Sequence, residues 1–229
     1  MGLVGSGEFT PATEQVDTAL LEGVPRRVVF LPTAAALEGT ERIRYWVDLG
    51  RAHYERLGVD ATPLMVLDRQ DADSADLAAQ IAGAGLVYLS GGDPTHLAST
   101  LAGSRVGGAI LEAWRTGTSV AGCSAGAIAL TQTVPDIRHR RGDSVAGLGL
   151  VPGVRVIPHF DKIEQWMPGA VQWAIDSTPP GEHLIGIDED TAIVGRPRLW
   201  QVMGRGCAWV LESAASPVGY GDGAALALS

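Results

Sequence analysis

The chain has 229 residues, 46% of them hydrophobic, and a net charge of −9 from 17 Lys and Arg against 26 Asp and Glu. The apolar share suits a substantial core, and the negative charge argues against nucleic acid and anionic membranes as main partners. No stretch is long and apolar enough to span a membrane, the first residues lack the pattern of a signal peptide, and two cysteines, Cys123 and Cys207, make no disulfide framework, so the expected setting is the cytoplasm.

Gly2 to Val4 is a short apolar run entering Gly5-Ser6-Gly7-Glu8, which reads as a strand and a glycine loop. The loop lacks the G-x-G-x-x-G spacing and does not open directly into a helix, which argues against a dinucleotide site. From Thr13 to Leu21, Val16, Ala19 and Leu20 share one helical face. Arg26 to Thr33 is a dense apolar run closed by Pro32, the pattern of a strand buried on both faces. Thr40 to Leu57 reads as a helix, with Gly58 as its C-terminal cap. Pro63 to Leu67 is the next strand, Asp73 and Ser74 can cap a helix carrying Leu77, Ala78 and Ile81, and Leu86 to Leu89 is a fourth strand. Strands alternating with helices predict right-handed βαβ units in a three-layer, mostly parallel α/β sheet flanked by helices. We expect one domain over residues 1–229, since no repeat or linker divides the chain.

The fourth strand runs into Ser90-Gly91-Gly92-Asp93-Pro94, where two glycines, a capping aspartate and a proline at the first helical position make an anion-ready helix start. The stretch Thr118 to Leu130 is an apolar run that passes through Gly122-Cys123-Ser124-Ala125-Gly126 into small residues. This is the G-x-S-x-G spacing of a nucleophile elbow, in which a sharp strand-to-helix turn lifts Ser124. The plainer alternative is a tight turn packed with small residues. Loops at the C-terminal ends of parallel strands gather at one edge, so the Ala125 amide and one from Gly91 or Gly92 are candidate oxyanion donors.

Thr131 to Ser144 is polar, with Asp136, Arg138, His139, Arg140, Arg141 and Asp143, and reads as a surface loop or a substrate-facing lid. Val154 to Pro158 is a strand ending in His159-Phe160-Asp161, followed by a helix with Ile163, Trp166 and Trp173 that Pro168 must kink or split. Leu184 to Ile187 runs into Asp188-Glu189-Asp190, and Thr191 to Leu211 alternates as an antiparallel meander with Pro197 in a turn.

A serine hydroxyl needs a base within hydrogen-bond reach and a third group to orient that base. Among five histidines, His53 lies in an amphipathic helix, His96 in a helix start, His139 in the charged loop and His183 before a strand. His159 alone directly ends an apolar strand after the elbow, which makes it the candidate base. The acid stays open on position: Glu189 and Asp161 are level, and Asp136 and Asp143 precede His159 in the polar stretch. No paired His or Cys stand at ligand spacing, so neither a metal nor another cofactor is expected.

Four ordered pieces, Leu89-Ser90-Gly91-Gly92-Asp93, Gly122 to Ala127, Pro158-His159-Phe160-Asp161 and Gly186 to Ala192, resemble the peptidase E and cyanophycinase family of serine peptidases. The resemblance implies a flavodoxin-like fold of the class I glutamine amidotransferase kind. It implies Ser124 as nucleophile, His159 as base, Glu189 as acid and an oxyanion hole from the Gly92 and Ala125 amides. It also implies a dipeptide or short-peptide substrate with an acidic, aspartyl N-terminal residue, and a homodimer. In the peptidase E branch an aspartate soon after the nucleophile is a rival for the triad acid, and Asp136 is the nearest match here, which keeps it beside Asp161 as an alternative. The chain lacks the arginine-rich segment that follows the histidine in cyanophycinases; Asp161 to Trp166 stands there instead. Arg138, Arg140, Arg141 and Lys162 are candidate partners for a substrate carboxylate. A cyanophycinase-like or isoaspartyl-peptide hydrolase is the nearest rival, and a non-catalytic binding domain on the same frame is the rival of a different class. A glutamine amidotransferase would carry cysteine where this chain carries Ser124.

Overall fold

The computed structural model describes residues 1–136, 144–211 and 216–228, so Arg138, His139, Arg140, Arg141 and Asp143 lie outside the described residues. Five strands form the parallel part of an eight-stranded sheet: β1 (Gly2–Val4), β2 (Arg27–Leu31), β3 (Asp60–Pro63), β4 (Leu86–Leu89) and β5 (Ser119–Cys123). They lie in the order β1-β5-β4-β2-β3, each pair parallel. The period-two alternation of their apolar runs divides cleanly between two cores. Leu3, Val29, Leu31, Val87, Leu89 and Val120 face one, whereas Val4, Val28, Phe30, Leu86, Tyr88 and Ala121 face the other.

Helices α1 (Glu14–Leu20) and α2 (Thr40–Arg56) cover the second core with Val16, Leu20 and Tyr54. The first core takes the short α3 (Arg69–Ala72) and α4 (Ala75–Ala79), then α5 (Pro94–Leu101), α6 (Arg105–Arg115) and α7 (Ala125–Ala129). The result is the three-layer arrangement expected of an apolar strand run covered on both sides. Helix α6 goes beyond the sequence reading: its core residues Val106 and Ile110 are separated by Gly107 and Gly108, which weaken the helical pattern. β3 begins at Asp60 and ends at Pro63, earlier than the apolar run suggests. It is the outer strand; the Leu64 amide still donates to the Phe30 carbonyl on β2 at 2.8 Å, and the chain then turns away with Leu64 and Val66 buried.

The ends of the polar stretch after α7 pair as a hairpin of β6 (Thr133–Pro135) and β7 (Ser144–Ala146). Then β8 (Val154–Pro158) and β9 (His183–Ile187) pair in parallel, in a second sheet apart from the first. Between them Pro168 and a left-handed Gly169 split the helical segment into α8 (Phe160–Trp166) and α9 (Ala170–Ser177). The expected meander is shared between the sheets. β10 (Thr191–Arg196) and β11 (Leu199–Gly204) join the large sheet antiparallel to β1, whereas β12 (Ala208–Val210) pairs with β9. β13 (Val218–Tyr220) and β14 (Ala225–Ala227) close the two sheets at their edges. The small sheet alternates too: Val156 and Ile185 enter the first core, while Ile157 and Leu184 pack on α8 and α9. Among the described residues no helix is long and apolar enough to cross a membrane.

The β5–α7 turn is packed to the backbone. A Cβ on Gly126 would fall inside contact distance of the Leu89 carbonyl on β4, and one on Gly122 would meet the backbone of Gly126 itself. The Gly126→Ala variant should therefore lose about 1–3 kcal/mol of unfolding free energy or more in urea denaturation. Unchanged stability would mean that α7 does not lie against β4.

Candidate active site

Ser124 sits between β5 and α7 with φ 51° and ψ −109°, a left-handed conformation that strains any residue bearing a Cβ. Its amide donates to the Val4 carbonyl at 2.9 Å, so the neighbouring strand β1 holds the turn. His159 follows β8 and is also left-handed, at φ 51° and ψ 38°. Its carbonyl accepts from Lys162 and Ile163, which starts α8 and aims the imidazole back at the large sheet's edge. The Ser124 hydroxyl lies 3.0 Å from His159 Nε2, and Nδ1 lies 3.0 Å from Glu189 Oε1. The carboxylate can only accept, so the shared proton places Nδ1–H toward Glu189 and leaves Nε2 to accept from the hydroxyl.

β8 and β9 explain why His159 and Glu189 meet. Pro158 and Ile187 are register partners, so the residues just beyond them emerge side by side. The turn bearing Glu189 is pinned on several sides. Asp188 accepts from the Trp209 indole N–H at 3.0 Å and the Cys207 amide at 2.9 Å, and Thr191 Oγ–H donates to the Glu189 carbonyl at 2.9 Å. Asp161 belongs to this support. Its Oδ1 accepts from the Glu189 amide at 2.9 Å, and its Oδ2 lies 3.3 Å from Lys162 Nζ. The two acids level in the sequence thus take different places: Glu189 on the imidazole, Asp161 on the backbone of Glu189. Asp136 stands just past β6, and both nitrogens of His159 are already engaged. Of the other described histidines, His53 is buried against Asp17 at 2.6 Å and His96 Nε2–H donates to the Leu67 carbonyl at 2.9 Å. His183 opens β9.

The Gly91-Gly92 loop reaches the same edge from β4. Asp93 caps α5 through the His96 amide at 2.8 Å with Pro94 at its first turn, as the sequence spacing predicts. The Asp93 amide donates to the Ala34 carbonyl at 2.8 Å, which braces Gly92 against the Thr33–Glu38 turn. Ala125 opens α7, whose first amides have no acceptor within the helix.

Sequence reasoning passed over Glu8. This carboxylate is only 5% exposed, and it ties the two loops together: Oε1 accepts from the Gly91 amide at 2.9 Å and Oε2 from the Cys123 thiol at 2.8 Å. Burial, and then the Glu8 charge, push the Cys123 thiol well above its ordinary range. The available signal was position, since Glu8 follows β1 at the edge where β4 and β5 also end. A cavity of about 300 Å³ opens there beside Gly92, Ser124 and His159, walled by Glu8, Thr10, Glu38, Arg42, Tyr45 and Trp46. Arg42 lies over the rings of Tyr45 and Trp46 at 4.9 and 5.0 Å, with Glu38 Oε2 3.3 Å from its Nε. Among the described residues no group of three His, Cys, Asp or Glu is placed to hold a metal ion.

The model of peptidase family S51 matches residues 1–198. The chain belongs to that family. Cyanophycinases of Trichormus variabilis and a Nostoc species are each 28% identical over 197 residues, covering 81% of this chain. The chain spans 63% of the length of these relatives. The crystal structure of a peptidase from an acI-B1 Actinobacterium is 40% identical, with a TM-score of 0.91 over 99% of this chain and 96% of its own. A peptidase E protein from Listeria monocytogenes shares the fold at a TM-score of 0.67 and 19% identity, over 89% of this chain and 97% of its own. S51 membership therefore rests on the sequence from β1 into the β10–β11 hairpin, the span that holds Ser124, His159 and Glu189.

Two outcomes check the Glu8 tie. Glu8→Ala leaves the Gly91 amide and the Cys123 thiol without their acceptor, so unfolding free energy should fall by about 1–3 kcal/mol in chemical denaturation. In the native protein at neutral pH, iodoacetamide should label Cys207 well before buried Cys123, read by mass spectrometry. Equal labelling of the two would contradict a protonated, enclosed Cys123.

Proposed function

We propose that this chain is a serine peptidase that hydrolyses dipeptides or short peptides, with an acidic N-terminal residue, through an acyl-enzyme. The single observation that carries the reading is the pair of 3.0 Å contacts joining Ser124 Oγ, the His159 imidazole and Glu189 Oε1. In this mechanism Ser124 attacks the scissile carbonyl while His159 Nε2 takes its proton. The imidazolium, steadied by Glu189, then gives that proton to the leaving amine. Water repeats the sequence and releases the acid. The amides of Gly92 and Ala125 receive the negative charge that develops on the carbonyl oxygen.

The cavity holding Arg42 and Glu38 supports the substrate side of the reading. An N-terminal aspartate carries an ammonium and a carboxylate, and this cavity offers the carboxylates of Glu8 and Glu38 and the Arg42 guanidinium near the nucleophile. Free cysteines and a peptide-sized substrate fit work in the cytoplasm. The cyanophycinase relatives favour a second reading, a cyanophycinase-like hydrolase acting on an aspartate-arginine polymer. Release of short fragments from an aspartate-arginine polymer, with little turnover of α-aspartyl dipeptides, would select it.

Ser124→Ala should lower kcat by about 10³-fold or more, and a serine-directed phosphonate should label the wild type and not the variant. Full turnover in Ser124→Ala would end the mechanism. Glu189→Gln should lower kcat by about 10²-fold or more, and Asp161→Asn by clearly less; the reverse order would make Asp161 the acid. Arg42→Ala should raise KM for aspartyl dipeptides more than it lowers kcat, measured by steady-state kinetics.

A further inference from the structure

A second cavity, of about 310 Å³, touches Gly92, Ser124 and His159 but is walled by other elements. Ile128 of α7, Ile157 of β8, Ile163 and Trp166 of α8, and Met167 after it supply its surface, and among the described residues its lining holds neither a carboxylate nor a lysine or arginine. Trp166 is 57% exposed, large for an indole, and its ring lies 5.3 Å from the His159 imidazole. A wide apolar side chain left in water beside a reacting pair is a surface that gains from being covered. An apolar cavity of about 150 Å³ already takes a benzene ring. This one has room for a phenylalanyl or leucyl side chain.

We propose that this cavity is an apolar subsite for the side chain that follows the scissile bond. The proposal rests on Ser124 as the nucleophile and names the substrate class: peptides in which a bulky apolar residue follows an acidic one. Two cavities share one nucleophile, so the residues flanking the scissile bond must be divided between them. The acidic residue goes to the cavity with Arg42, because the second offers no cation to pair with it. The other residue is left with isoleucine, methionine and indole. Trp166 then has two roles, one wall of the subsite and one face against His159, so a filled subsite also shields the imidazole from water.

The test compares Asp-Gly, Asp-Leu and Asp-Phe on the full chain by steady-state kinetics. The wild type should prefer Asp-Phe to Asp-Gly in kcat/KM by on the order of ten- to a hundredfold. Trp166→Ala and Met167→Ala should each shrink that ratio several-fold. Met167→Glu should turn the preference toward Asp-Arg, a gain that misfolding cannot imitate. A wild-type ratio near one, or a ratio that both alanine variants keep, overturns the subsite. Binding of the same dipeptides to Ser124→Ala by calorimetry reads the subsite without turnover. Tighter binding of Asp-Phe that weakens when Trp166→Ala is added supports an apolar side-chain site here even if the catalytic reading fails, and equal binding of Asp-Phe and Asp-Gly overturns it even if that reading holds.

Discussion

A serine at φ 51° and ψ −109° occupies a backbone conformation that costs about 1–3 kcal/mol, and the fold around Ser124 is what sustains it. β1 takes the Ser124 amide on one side. On the other, α7 is pressed against β4 so closely that neither Gly122 nor Gly126 has space for a side chain. These contacts come from strands that are far apart in the chain and adjacent in the sheet. The strain is therefore held by buried strands whose displacement would disturb both cores at once.

The partners of Ser124 come from a different sheet. β8 and β9 deliver His159 and Glu189 in one register, and their inner face shares a core with the large sheet. Alignment of the hydroxyl with the imidazole thus depends on how two sheets dock through α7 and the first core. Asp161, Asp188 and Thr191 fix the Glu189 turn by hydrogen bonds to backbone and indole, so the carboxylate is placed by its main chain before its side chain reaches the ring. This division explains why Glu189 meets the imidazole while Asp161 and Asp188 hold the main chain around it.

Glu8 binds the Gly91-Gly92 loop to the β5–α7 turn, and it lines the same opening as Glu38 and Arg42. One side of Ser124 is consequently polar and charged, and the other is isoleucine, methionine and indole. Under the proposed function, such asymmetry would give a small peptide one preferred way to lie across Ser124.

The amino-acid sequence by itself determined what depends on near neighbours. The apolar runs of β2 and β4 declared strands covered on both faces, G-x-S-x-G declared the elbow, Asp93-Pro94 declared the start of α5, and Pro168 declared the break between α8 and α9. Each is a matter of spacing or local backbone geometry, which a few consecutive residues carry. The tertiary structure alone decided that Glu189 and not Asp161 faces the imidazole, that β8 and β9 stand with β12 and β13 in a second sheet, and that Glu8 joins Gly91 to Cys123 across 83 and 115 positions of chain. Those outcomes depend on strand register and on which loops share an edge. Register is a relation between distant segments, and no local pattern encodes the distance between them.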